Sequence, residues 1–170
     1  MNLVLIGFRG AGKTTLTKEL AKRLKMNFII MDELIIKKAK LSINEIVTKY
    51  GWERFRDLES EVVSEVSKRD NIVIDTGGGV ILREENIKNL KKNGFIIWLK
   101  VDEEVVIKRI KDSKNRPSLT NKGFIEEIKN VLMEREPIYR RIADYIIDTS
   151  YRGIDEIVNE ILKTYPTRID

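Results

Sequence analysis

Several residues in this chain have the types and spacing to work on a phosphate. Gly7-Phe8-Arg9-Gly10-Ala11-Gly12-Lys13-Thr14 follows the form G-x-x-x-x-G-K-T. Gly10 and Gly12 let the backbone curl so that successive N–H groups, that of Ala11 among them, face one anion. The apolar run at residues 3–6 leads in, and a helical pattern starts near Lys13. A helix N-terminus with its positive dipole end therefore completes the cradle, with Thr15 in the same first turn. Lys13 can reach the β- and γ-phosphates of a nucleotide, and the Thr14 hydroxyl can ligate Mg²⁺.

Phosphoryl transfer also needs a group to handle the acceptor's proton and cations to hold the charge. The chain has no His and no Cys, so the base must be Asp, Glu, Lys or Tyr, and neither disulfides nor thiolate metal sites are available. Asp32 follows an apolar run and is the candidate base; the competing reading is a helix N-cap for a segment starting at Glu33. Arg56 and Arg135 lie in separate helical patterns. Each reads as a solvated surface residue, or both read as a clamp on a carboxylate, which the planar guanidinium suits. Arg116 stands where it can close over a γ-phosphate. Gly77-Gly78-Gly79 directly follows a strand, as a permissive turn or as a close approach of backbone to ligand.

The elements that must position these residues alternate. Strands are expected at 3–6, 27–31, 72–75, 95–99 and 145–148. Helices are expected at 13–24, across most of 33–69 with a break at Gly51, and at 86–91, 103–111, 124–142 and 154–162. Ser42-x-x-Glu45 has capping-box spacing. Residues 112–123 lose apolar periodicity and read as a mobile loop, the helical insert over 33–69 is longer than a crossover needs and offers a substrate-binding lobe, and the tail after Lys163 is expected to fray. The alternation predicts a three-layer α/β/α fold with a parallel sheet, in one domain spanning residues 1–170.

With 42% hydrophobic and 35% charged residues, the composition is that of a globular protein. The net charge of +5 suits an anionic ligand and does not by itself call for nucleic acid. No apolar run approaches a membrane span and the N-terminus enters a strand at once, so a cytoplasmic monomer without nucleic-acid or membrane partners is expected.

Asp32, the Ser42-Ile43 stretch, Phe55-Arg56-x-x-Glu59, Thr76-Gly77-Gly78-Gly79-Val80, Arg116-Pro117, Arg135-x-Pro137-x-Tyr139 and Ala143-Asp144, in this order after the P-loop, resemble the shikimate kinase family over residues 2–155. The resemblance implies a P-loop kinase fold with sheet order 2-3-1-4-5 and transfer of the ATP γ-phosphate to the 3-hydroxyl of shikimate with Mg²⁺. It implies that Asp32 polarises the acceptor hydroxyl and that Arg56 and Arg135 hold the shikimate carboxylate. Residues 33–60 would be the shikimate-binding lobe and 112–123 the lid, Gly78 and Gly79 would lie beside the acceptor, Arg116 would be the lid arginine, and Arg109 and Arg152 would lie near the adenine.

One departure concerns the metal. The family pattern after the second strand is Asp-Thr-Asp, and this chain has Ile30-Met31-Asp32. Asp75 is expected to take over as the metal-supporting acid; otherwise it caps the following turn. Two other functions stay open: a related kinase for another small hydroxylated acid, and a nucleotide-binding module without turnover.

Overall fold

The computed structural model describes residues 1–111 and 123–166. Arg116, Pro117 and the rest of the expected lid except Gly123 lie outside the described residues. The strands are β1 (Asn2–Ile6), β2 (Asn27–Ile30), β3 (Ile72–Asp75), β4 (Gly94–Lys100) and β5 (Tyr145–Asp148). The helices are α1 (Lys13–Leu24), α2 (Met31–Ala39), α3 (Ile43–Val66), α4 (Glu84–Lys91), α5 (Glu103–Lys111), α6 (Phe124–Ile142) and α7 (Ile154–Thr164), with one 3₁₀ turn at Val80–Leu82.

All strand pairings are parallel, in the order β2-β3-β1-β4-β5. Successive strand residues feed opposite faces, so each strand is apolar on both sides. Val4, Ile6, Ile74, Ile96 and Trp98 pack with α2, α3 and α4, and Leu3, Leu5, Val73, Ile97 and Leu99 pack with α1, α5 and α7. Helix α6 serves both layers. Ile128 and Val131 join the second cluster and Tyr139 and Ile142 the first, which leaves Arg135 between them. Helix α1, which follows β1, and helix α4, which follows β3, cover opposite faces although β1 and β3 are neighbours. That is a topological switch point, where ligands bind in open α/β sheets.

Helix α3 begins at the expected capping box. Ser42 Oγ accepts from Glu45 N at 3.2 Å, and Glu45 Oε2 accepts from Ser42 N at 2.7 Å. Gly51, at φ 83 and ψ 170, interrupts the helical backbone. The change of phase there turns Phe55, Arg56, Leu58 and Glu59 inward.

Two expectations need correction. The second strand stops at Ile30 and Met31 is already helical, so Asp32 sits inside the first turn of α2 and is not its N-cap. Met31 is wholly buried, which favours starting the helix two residues early, and the positive helix end favours a carboxylate at position 32. The first residues after Lys163 are held in place: α7 runs to Thr164, and buried Tyr165 donates to Met1 O at 2.8 Å and meets Phe95 edge-on, while residues 167–170 lie outside the described residues.

Candidate active site

The phosphate cleft lies at the carboxyl ends of β1 and β3. Gly10 and Gly12 adopt φ 81 and 89, a region where a side chain would be strained. Lys13 Nζ folds back over the loop and donates to Gly7 O at 2.9 Å and Phe8 O at 3.0 Å. Thr14 Oγ1 donates to Asp75 Oδ2 at 2.5 Å. Asp75 is 5% exposed, and burial pushes its carboxyl above the usual range, opposed by the charge of Lys13 and the hydrogen bond from Thr14.

Arg109 braces the loop from α5, donating to Gly10 O at 2.9 Å and to Thr149 O at 3.5 Å. Thr149 in turn donates to Ala11 O at 3.3 Å. The cleft, of about 330 Å³, is lined by Lys13, Thr14, Thr15, Asp32, Asp75 and Arg109 among others. Arg152 does not join it. Its guanidinium is held by Glu156 at 2.7 Å and Glu160 at 2.6 Å, both on α7, and donates to Asp148 O at 3.2 Å.

A second pocket adjoins the first, with Arg9 and the P-loop as shared wall. Its floor is Gly77, Gly78 and Gly79; Phe8, Ile43, Trp52 and Phe55 are its apolar side; Arg56, Glu59 and Arg135 are its charges. Arg56 Nη1 pairs with Glu59 Oε2 at 2.7 Å, and its guanidinium lies 5.1 Å from the Phe55 ring centroid and 5.5 Å from that of Trp52. Glu59 is wholly buried. Burial pushes its carboxyl up, and Arg56 and Arg135 pull it back. Arg56 and Arg135 are themselves buried, so both leave the surface-residue reading behind.

The glycines are required by what stands above them. A Cβ at residue 77 would lie 2.6 Å from Glu59 Oε1 and 3.6 Å from Asp32 Oδ1; one at residue 79 would collide with the Arg56 guanidinium. Asp32, which lines the phosphate cleft, therefore stands at the junction of the two pockets.

Three residues of this assembly carry no sequence expectation of their own. Arg9 occupies a variable position of the P-loop and pairs with Glu127 at 3.3 Å, while burial lowers its pKa. Glu59 is visible in sequence only as part of Phe55-Arg56-x-x-Glu59, where the spacing puts it one helical turn from Arg56. Tyr139 is fully buried, stacks on Trp98 at 5.7 Å and donates its hydroxyl to Gly78 O. Burial pushes its pKa up to about 12, which keeps that hydroxyl a donor.

The donor set suits Mg²⁺. The Thr14 hydroxyl gives its proton to Asp75 and so turns lone pairs toward the cleft, and both donors are hard oxygens. Among the described residues no three Asp, Glu, His or Cys cluster together as a protein-only metal cage. Mg²⁺ held with nucleotide phosphates and water needs no such cage. Among the described residues no helix is long and apolar enough to cross a membrane.

A family profile described as Shikimate kinase matches residues 9–166. The chain is 46% identical over 164 residues to a shikimate kinase of Caldanaerobacter subterraneus subsp. tengcongensis, covering 96% of this chain and 95% of the relative. It is 44% identical over 164 residues to one of Thermodesulfovibrio yellowstonii, covering 96% and 94%. The solved shikimate kinase of Acinetobacter baumannii in complex with shikimate superposes with a TM-score of 0.91 at 34% identity, covering 96% of this chain and 91% of that one. With a matched profile over most of its length and relatives at these identities, the chain belongs to the shikimate kinase family.

Proposed function

We propose that this protein transfers the γ-phosphoryl group of ATP to the 3-hydroxyl of shikimate, releasing shikimate 3-phosphate, ADP and a proton. The observation that carries the reading is the placement of Asp32 where a phosphate cleft meets a two-arginine pocket. The N–H groups of residues 10–15 and the Lys13 ammonium cradle the phosphates. Arg109 braces the loop beneath the nucleotide. Mg²⁺, when bound with the nucleotide through the Thr14 hydroxyl, neutralises charge on the transferring phosphoryl group.

Arg56 and Arg135 hold the acceptor's carboxylate, while Trp52 and Phe55 exclude water from its ring face. Gly78 and Gly79 let the ring lie against the backbone. Asp32 then accepts the proton from the acceptor's hydroxyl as its oxygen attacks the γ-phosphorus in line. Arg116 closes over the phosphates from the 112–123 lid, and residues 33–60 receive the acceptor. The protein works as a single-domain, monomeric, cytoplasmic enzyme. Arg109 and Arg152 lie near the adenine, with the Arg152 guanidinium fixed by Glu156 and Glu160.

The test is an ADP-release assay with shikimate against gluconate, quinate and nucleosides, with the product identified by phosphorus NMR. Turnover on shikimate with phosphate on the 3-oxygen is expected. Faster turnover on another hydroxy acid would move the assignment to a related kinase, and nucleotide binding with no turnover on any acceptor would make the protein a binding module.

A further inference from the structure

The end of β2 carries no carboxylate on the face where the P-loop helix lies. Its last residue, Ile30, is paired in parallel register with Asp75 at the end of β3. Register partners in neighbouring parallel strands project to the same face, one interstrand spacing of about 4.8 Å apart. Asp75 is also paired with Leu5, whose side chain packs in the layer containing α1. The carboxylate therefore faces the first turn of α1, where it takes the Thr14 hydroxyl proton at 2.5 Å.

We propose that Asp75 is the residue on which metal affinity depends in this chain, acting as a positioning residue through Thr14. The proposal rests on the nucleotide-kinase reading above. The chemistry is that of one proton and two lone pairs. A Thr hydroxyl free to rotate spends part of its time with its proton aimed into the cleft. Thr14 is prevented from doing so because its proton is committed to Asp75 Oδ2. The other carboxylate oxygen is left to accept from a metal-bound water. The negative charge also offsets the cations lining the same cleft, Arg9, Lys13 and Arg109, which would otherwise repel a divalent ion before phosphate arrives. An isoleucine at position 30 can do none of this, so the function lies one strand over from the neighbouring register position.

The test measures metal binding without turnover. Mn²⁺ is titrated into the protein–ADP complex and free Mn²⁺ is read by electron paramagnetic resonance, for wild type, Asp75→Asn, Asp75→Ser and the double variant Ile30→Asp/Asp75→Ser. Metal-free ADP affinity is measured in parallel. Asp75→Ser should weaken Mn²⁺ binding about 10- to 100-fold. Metal-free ADP binding should stay equal or tighten, because a negative charge near the phosphates is gone. Asp75→Asn should also lose Mn²⁺ affinity although its shape is kept. The double variant should recover most of the loss, because it restores a carboxylate on the same face.

Wild-type Mn²⁺ affinity in Asp75→Ser would overturn the proposal. So would a parallel loss of metal-free ADP binding, since that would make Asp75 a structural support of the loop. If the wild-type protein bound no Mn²⁺·ADP at all, the nucleotide-kinase reading itself would fail. If it bound the complex normally but turned over an acceptor other than shikimate, only the acceptor assignment would change.

Discussion

Gly79→Ala perturbs the acceptor pocket and leaves the phosphate cleft untouched. Gly79 sits at φ −100 and ψ 6, a backbone conformation alanine adopts, so the substitution does not strain the main chain. The new methyl is placed against the Arg56 guanidinium. To restore an ordinary carbon–nitrogen separation the guanidinium must retreat by about 1 Å. A charge-assisted hydrogen bond to a carboxylate contributes about 1.5–3 kcal/mol. Losing that bond predicts a rise of about 10- to 100-fold in KM for shikimate, with KM for ATP unchanged and kcat within about 3-fold. Arg56 also pairs with buried Glu59, so a small loss of thermal stability accompanies the effect. Gly78→Ala disturbs the same pocket less: its methyl meets Gly7 O at 3.3 Å and Arg135 Nη1 at 3.6 Å, which demands shifts of only tenths of an ångström and a smaller rise in KM for shikimate. Steady-state kinetics with each substrate varied in turn decide the matter. An unchanged KM for shikimate in Gly79→Ala would refute the idea that Arg56, held where this structure has it, binds the acceptor.

Asp32→Asn should lower kcat by about 10²–10⁴-fold while nucleotide binding, followed by calorimetry, is retained; normal turnover would remove Asp32 from the mechanism. Burial raises the Asp75 carboxyl above its ordinary value of 3.8, so the folded protein keeps a proton that the unfolded chain has already lost, and stability declines as pH rises through that window. Asp75→Asn abolishes the titration, so its thermal midpoint should match wild type near pH 3.5–4 and exceed it at pH 7 by about 2–4 °C for each kcal/mol relieved. Melting curves across that range test this, and a difference independent of pH would count against it. Ser42→Ala removes the cap at the start of α3 and should cost about 1 kcal/mol, read as a drop of about 2–4 °C with KM for shikimate little changed.

Much of this protein is legible in its sequence because the relevant physics is local. The P-loop needs glycine at φ 81 and 89, a lysine and a hydroxyl at fixed offsets, and nothing distant alters that requirement. Alternating apolar runs define the five strands, Ser42 and Glu45 define a helix start, and Gly51 defines a break, since each acts within one turn of chain. The position of Asp32 was less legible. Whether a strand runs one residue further or a helix begins two residues earlier depends on Met31 finding a fully buried place, which is a property of the packed core.

Tertiary structure alone decided which charges meet. Composition marks Arg56, Arg135 and Arg152 as equal cations, yet the first two are buried around a glycine floor while the third is tied to Glu156 and Glu160. Arg135 reaches the site because α6 packs on both layers, and Tyr139 reaches Gly78 across a separation of 61 residues. The link between Thr14 and Asp75 likewise spans 61 residues and exists because β1 and β3 are neighbours in register. Local sequence determines what each segment can be, since propensity, capping and turn chemistry act over a few residues. Which side chains share a pocket depends on strand order and burial, which no short stretch of this chain contains.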